Sequence, residues 1–237
     1  MLNDFLLSTI IFCAGLVTGI SGFGLPLLTM PLLSQFLNLH VVLTLVAELR
    51  LVSMLVLLSF YRQSFNLKAV MRLAIASLIA VPLGVMASDY INEQLILNLL
   101  GVIIVVYVAY CWFAPRLPTI KSPRWAYAAG LSSGLLLGAC DVGGPPLLIY
   151  ANCSQWNQEE FKSNLPAIGI FGIILTVTSH VINQDFTGEV WSLSAMAVPS
   201  LIFGLGIGMF LSNYRQTKIS QKFILVLLLL MGLMLLV

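Results

Sequence analysis

Two stretches of this chain combine residue types that could hold an anion inside an apolar protein. The first, Ala14–Leu33, reads AGLVTGISGFGLPLLTMPLL; the second, Ala129–Ala151, reads AGLSSGLLLGACDVGGPPLLIYA. Both open on Ala-Gly-Leu, step through small residues four apart, reach a glycine-rich break, and resume at a proline followed by Leu-Leu. Gly22, Gly24, Gly143 and Gly144 cost helix stability, and Pro26 and Pro145 lack a backbone donor, so a helix should stop at each break and restart beyond it. A restarting helix presents free N–H groups and the positive end of its dipole, which suits an anion. The expected substrate-binding residues are therefore Ser21, Gly22, Gly24 and Pro26 at the first break and Gly143, Gly144 and Pro145 at the second. The glycines before the breaks also have a purely packing reading. Gly15 and Gly19 share one helix face, as do Gly130, Gly134 and Gly138, and small residues four apart let helices approach closely in lipid.

Ionisable residues inside apolar segments are few. Asp141 stands beside the second break and is a candidate proton-coupling group, because intramembrane carboxyls usually serve function. It could equally accept hydrogen bonds from the N–H groups of Gly143 and Gly144 as a cap. Glu48, a second proton-coupling candidate, and Arg50 sit mid-span in Val41–Phe60. Two residues apart, they point to different sides of a helix, so each needs another partner. Arg50 could meet an anionic substrate or Asp141, or take part in an internal ion pair. Asn164 is a further substrate-binding candidate, and Gln155 a further polar one. His40 and His180 lie near span ends and read as interfacial or capping residues. Cys13, Cys111, Cys140 and Cys153 show no CxxC or metal-type spacing and read as small buried thiols. No cofactor or metal is expected.

These residues must be positioned by membrane helices. The 237 residues are 59% hydrophobic and 8% charged, with a mean hydropathy of +1.02; a soluble domain carries about 25% charged residues. Apolar spans recur at Leu6–Leu37, Val41–Phe60, Ala69–Ala87, Leu95–Phe113, Trp125–Cys153, Leu165–Ile182, Val190–Leu211 and Phe223–Val237, most of them of transmembrane length. Trp112, Trp125, Trp156 and Trp191 fall at span ends, as interfacial anchors do. The partners implied are a lipid bilayer and a small substrate. No basic run or basic–aromatic stripe suggests nucleic acid. Met1–Phe5 hold Asp4 and no base, unlike the start of a signal peptide, so this stretch reads as part of the mature chain.

Loop charges orient the spans. Arg62, Lys68 and Arg72 mark one basic loop, Arg116, Lys121 and Arg124 a second, and Arg215, Lys218 and Lys222 a third. Asp89 and Glu93 mark one acidic loop, Asp185 and Glu189 another. The positive-inside rule puts the basic loops in the cytoplasm and the acidic ones outside. On that parity Trp125–Cys153 enters and leaves on one side, and the same holds for Leu6–Leu37, folding back at Ser21–Pro26; the alternative reading is eight straight helices with a weak charge bias. The chain then divides into a first repeat over residues 1–113, a cytoplasmic linker over 114–124 and a second repeat over 125–237. The expected fold is an all-α polytopic membrane protein of two inverted-topology repeats, each a broken or re-entrant hairpin plus three transmembrane helices. Inverted repeats with broken segments in matching positions are a pattern of secondary transporters.

The paired glycine-rich, proline-ended motifs resemble those of the TauE/SafE, or sulfite exporter, family of membrane permeases. Ala47, the stretch Phe161–Lys162–Ser163–Asn164 and the tail Gly204–Val237 extend the resemblance over nearly the whole chain. It implies a permease of the bacterial inner membrane for a small anion such as sulfite, sulfoacetate or thiosulfate. The chain departs from the family pattern at Asp141, where a small residue, usually Gly, is common. A carboxylate there would repel a bare dianion unless protonated or paired. Two other classes compete with a proton-coupled carrier that alternates access between two repeats. Gly19–Ile20–Ser21–Gly22 spells GxSG and resembles the serine motif of rhomboid intramembrane proteases, with His180 later in the chain; an activated serine needs a base within reach. A passive anion channel would need a ring of charges or a filter-like repeat, and neither is present.

Overall fold

The computed structural model describes residues 4–62, 66–88, 92–113, 122, 124–140, 142–156 and 158–214, together with 226, 229, 230, 232 and 233. These residues form helices and connections. In chain order the helices are α1 (Asp4–Ser21), α2 (Leu25–Leu33), α3 (Leu39–Tyr61), α4 (Leu67–Ser88), α5 (Glu93–Phe113), α6 (Arg124–Cys140), α7 (Gly144–Cys153), α8 (Gln158–Ile182) and α9 (Gly188–Tyr214). Among the described residues, five helices are long and apolar enough to cross a membrane: α1, α3, most of α4, α8 and α9. Their outer faces carry large exposed apolar side chains such as Ile79, Leu83, Phe203 and Phe210, as a surface facing lipid tails should. The chain is an all-α, multi-pass membrane protein. The last span read from the sequence, Phe223–Val237, lies outside the described residues apart from the five isolated positions. So do Asp89, Arg116, Lys121, Arg215, Lys218 and Lys222.

The two expected breaks are the two places where short helices begin. α2 has nine residues and α7 has ten, about 14 and 15 Å at 1.5 Å per residue, half of a ~30 Å hydrocarbon core. Each folds back on the helix before it. Ser133 lies seven residues before the end of α6, about 10 Å along its axis, yet its hydroxyl donates to the Gly143 carbonyl at 2.6 Å. At the first break a Cβ on Gly24 would lie 3.4 Å from Val17, a turn back along α1.

Packing follows one rule twice. α1 runs along α9, and α6 runs along α4; α3 packs on α8, and each also touches the other's neighbour, α3 with α9 and α8 with α4. Exchanging α1 with α6, α2 with α7, α3 with α8 and α4 with α9 carries these pairs into one another. Each broken helix thus lies against a helix from the opposite half of the chain. Glycine makes those two contacts possible. A Cβ on Gly15 would sit 2.8 Å from the Leu201 carbonyl oxygen, and one on Gly208 would sit 3.0 Å from the Cα of Gly19. On the other side a Cβ on Gly130 would come 2.6 Å from the Leu73 oxygen, and one on Gly134 would come 2.8 Å from the Cα of Ser77. The glycines before the breaks are therefore backbone-to-backbone packing positions.

Candidate functional site

Gly22 and Gly24 make the first break. The Gly22 N–H donates to the Thr18 carbonyl at 2.7 Å, ending α1, and φ is +82° at Gly22 and +118° at Gly24. Side chains strain such backbone. The Ser21 hydroxyl is held inside this turn, on the Val17 carbonyl at 2.7 Å and on the Phe23 carbonyl. At the second break Gly143 precedes α7, and its carbonyl is held by Ser133. Neither α2 nor α7 has a side-chain cap, because the residue at each cap position is a glycine. Prolines occupy the first turn of both helices, where a missing N–H costs nothing. Among the described residues, no N-cap side chain satisfies the remaining first-turn N–H groups.

Both helix starts open on one cavity of about 50 Å³. Its wall takes Gly22, Gly24, Leu25 and Pro26 from the first break and Val142, Gly144 and Pro145 from the second. α3 adds Arg50 and Ser53, α4 adds Ser77, α6 adds Ser133, and α1 adds Thr18. At about 15 Å³ per water the space holds roughly three waters, or one small oxyanion. Leu27, Leu57, Leu137, Leu147, Leu165 and Ile168 make most of the remaining wall apolar. Arg50 is 7% exposed and supplies the charge among the described wall residues. Three hydroxyls are anchored locally: Ser53 on the Arg50 carbonyl at 2.8 Å, Thr18 on the Ala14 carbonyl at 2.7 Å, and Ser133 as above. Each of these hydroxyls spends its one proton on a carbonyl, so the groups left to replace an anion's hydration shell are the positive helix ends and the guanidinium, in a mostly apolar pocket.

The fold gathers Gly22, Gly24, Pro26, Arg50, Gly144 and Pro145 around this cavity and leaves others off its wall. Ser21 and Gly143 support the two turns from behind. Asn164 does not line it; its Oδ1 accepts from the Asn66 N–H at 2.9 Å, tying the start of α4 to α8. Glu48 is half-buried and accepts from Ser194 Oγ at 2.5 Å, joining α3 to α9. It thus faces away from Arg50's side of the helix, as the two-residue spacing requires. Asp141 lies outside the described residues. Sequence reasoning passed over Thr18, Ser53, Ser77 and Ser133. The one available signal was a hydroxyl within an apolar helix, which does not separate a cavity-facing hydroxyl from a packing one.

His180 Nδ1 stands 2.8 Å from Asp185 Oδ2 and 3.3 Å from Thr44 Oγ1, and His40 is exposed at the start of α3. Ser21 and His180 form no hydrogen bond with each other. Each is engaged by its own neighbours, so the pairing that a serine nucleophile requires is not formed.

A multi-pass helical bundle whose two broken helices meet at one small cavity belongs, by its architecture, with membrane proteins that handle small solutes. The sequence comparison narrows that class: residues 7–235 match the family Sulfite exporter TauE/SafE, and the chain belongs to it, a family of membrane transporters. No match is found among curated proteins or among solved structures.

Proposed function

We propose that this protein is a secondary transporter of a small anion, a sulfur oxyanion or organosulfonate such as sulfite or sulfoacetate, in the bacterial inner membrane. One observation carries this reading. Two helix N-termini with glycine at the cap position, those of α2 and α7, open on the same cavity as the buried Arg50. Dipole ends of this kind bind anions, and their placement in broken helices at the contact between two halves matches the logic of repeat-built transporters. The substrate-binding set is Gly22, Gly24, Pro26, Arg50, Gly144 and Pro145, with Ser21 and Gly143 in the two turns and Asn164 tying α4 to α8. The exchange of helix partners between the halves supports reading residues 1–113 and 125–237 as inverted repeats about the linker 114–124. Alternating access would then rock one repeat against the other around the paired breaks.

Proton coupling is assigned to Asp141 and Glu48. The protein in liposomes should take up sulfite, sulfoacetate or thiosulfate faster under an imposed pH gradient, and its thermal unfolding in detergent should rise with the transported anion. A panel of sulfur oxyanions, sulfonates and carboxylates that neither stabilises the protein nor crosses the membrane would overturn the anion assignment. Asp141→Asn and Glu48→Gln separate the carboxyls: a variant that transports with the pH dependence of the parent removes that residue from the coupling.

A further inference from the structure

The first turns of α8 carry a charge that the central cavity does not use. Lys162 is 6% exposed, inside a segment apolar enough to cross a membrane. Its Nζ donates to Ser212 Oγ and stands 5.2 Å from the centre of the Tyr61 ring. Both partners are neutral, and no carboxylate pairs with Lys162 among the described residues. A buried ammonium whose described partners are a hydroxyl and a ring face is poorly compensated for the water it has lost, and ionisable groups retained in such places usually serve function. The same turn holds two buried polar groups, Ser163 Oγ and Asn164 Nδ2, with no hydrogen-bond partner among the described residues.

Position gives this charge a role. Lys162 crosses the outside of the α1–α2 break: a Cβ on Gly22 would lie 3.1 Å from its Cγ and 3.6 Å from the Phe161 ring. Phe161 meets Phe23 edge to face at 6.1 Å. Gly22 and Phe23 line the central cavity, so Lys162 stands directly behind the cavity wall. Its two partners lie at the C-terminal ends of α3 and α9, which lead into the basic loops beginning at Arg62 and Arg215.

We propose that Lys162 is a second anion site, a waypoint between the basic-loop side and the central cavity for the same small oxyanion or sulfonate. The anion displaces Ser212 as the partner of Nζ, and the Phe23–Phe161 pair separates the two sites. The inference rests on the anion-transport reading above. The test uses the full-length protein in liposomes with sulfoacetate as probe, measured in each orientation. Lys162→Gln should raise KM by roughly tenfold or more for entry from the basic-loop side, the effect of losing a charge-assisted hydrogen bond, and leave KM from the other side unchanged. Lys162→Arg should restore it. A Lys162→Gln protein with the parent's KM on both sides, or with equal changes on both, overturns the waypoint while leaving the transport reading intact. A parent protein that moves no anion sinks both. Should Lys162→Gln fail to fold, saturating sulfoacetate must still slow acylation of Lys162 by an amine-reactive ester in the parent, read by peptide mass; no protection refutes the site.

Discussion

Replacing Gly144 by Ala would put one methyl group into the central cavity and change little else. Gly144 opens α7 and lines the cavity, and a Cβ built there meets nothing within 4 Å among the described residues. The backbone should accept the change, because alanine is favoured over glycine in a helix by about 1 kcal/mol. A methyl group takes the place of about one water in a space with room for roughly three. An anion that fits the parent cavity must then shift or lose contacts, at a cost in the range of core overpacking, roughly 1–3 kcal/mol. Converted at 1.4 kcal/mol per tenfold, this is about a 5- to 150-fold rise in KM or Kd. Gly206→Ala is the matched control, since a Cβ there also meets nothing within 4 Å but Gly206 faces outward on α9. The assay is sulfite or sulfoacetate flux in liposomes, with thermal unfolding measured in parallel. Gly144→Ala should transport poorly at parental stability or slightly above it, and Gly206→Ala should transport as the parent does. Equal transport by the two variants would refute the placement of substrate between the breaks.

Two predictions concern the scaffold. Gly208→Ala pushes a methyl group between α1 and α9, 3.0 Å from the Cα of Gly19 and 3.1 Å from the Ile20 nitrogen. It should destabilise the protein by about 1–3 kcal/mol, seen as a lower unfolding midpoint in detergent, whereas Gly206→Ala two residues away should not. Ser133→Ala leaves the buried Gly143 carbonyl without its donor. It should cost about 1–3 kcal/mol and impair transport by loosening the second break; unfolding and flux measurements both at parental values would show that this bond does not hold the turn.

Much of this architecture could be read from residue types alone, because the bilayer imposes its demands locally. Spans of apolar residues mark the crossings, and Gly22, Gly24, Gly143 and Pro145 mark where a helix cannot continue. Both follow from the backbone and side chain of the residue concerned and need no partner to be known. The glycines before the breaks were legible as a face but not as a function; the carbonyls of Leu201, Leu73 and Ser77 across the interface decide that they are packing positions. Asn164 shows the opposite limit. Its polarity beside an apolar span drew attention, yet the fold turns it to the Asn66 backbone and off the cavity wall. Arg50 and Glu48, two residues apart, were separable by helix geometry, but only tertiary packing put Ser194 opposite one and the cavity beside the other. Lys162 went unremarked as a chemical group because its burial depends on Tyr61, Ser212 and Gly22, from three segments distant in sequence. Local chemistry therefore determined where helices run and break. Which side chains share the space between the breaks was decided by the crossing of each broken helix onto the opposite half, a contact that no single stretch of sequence encodes.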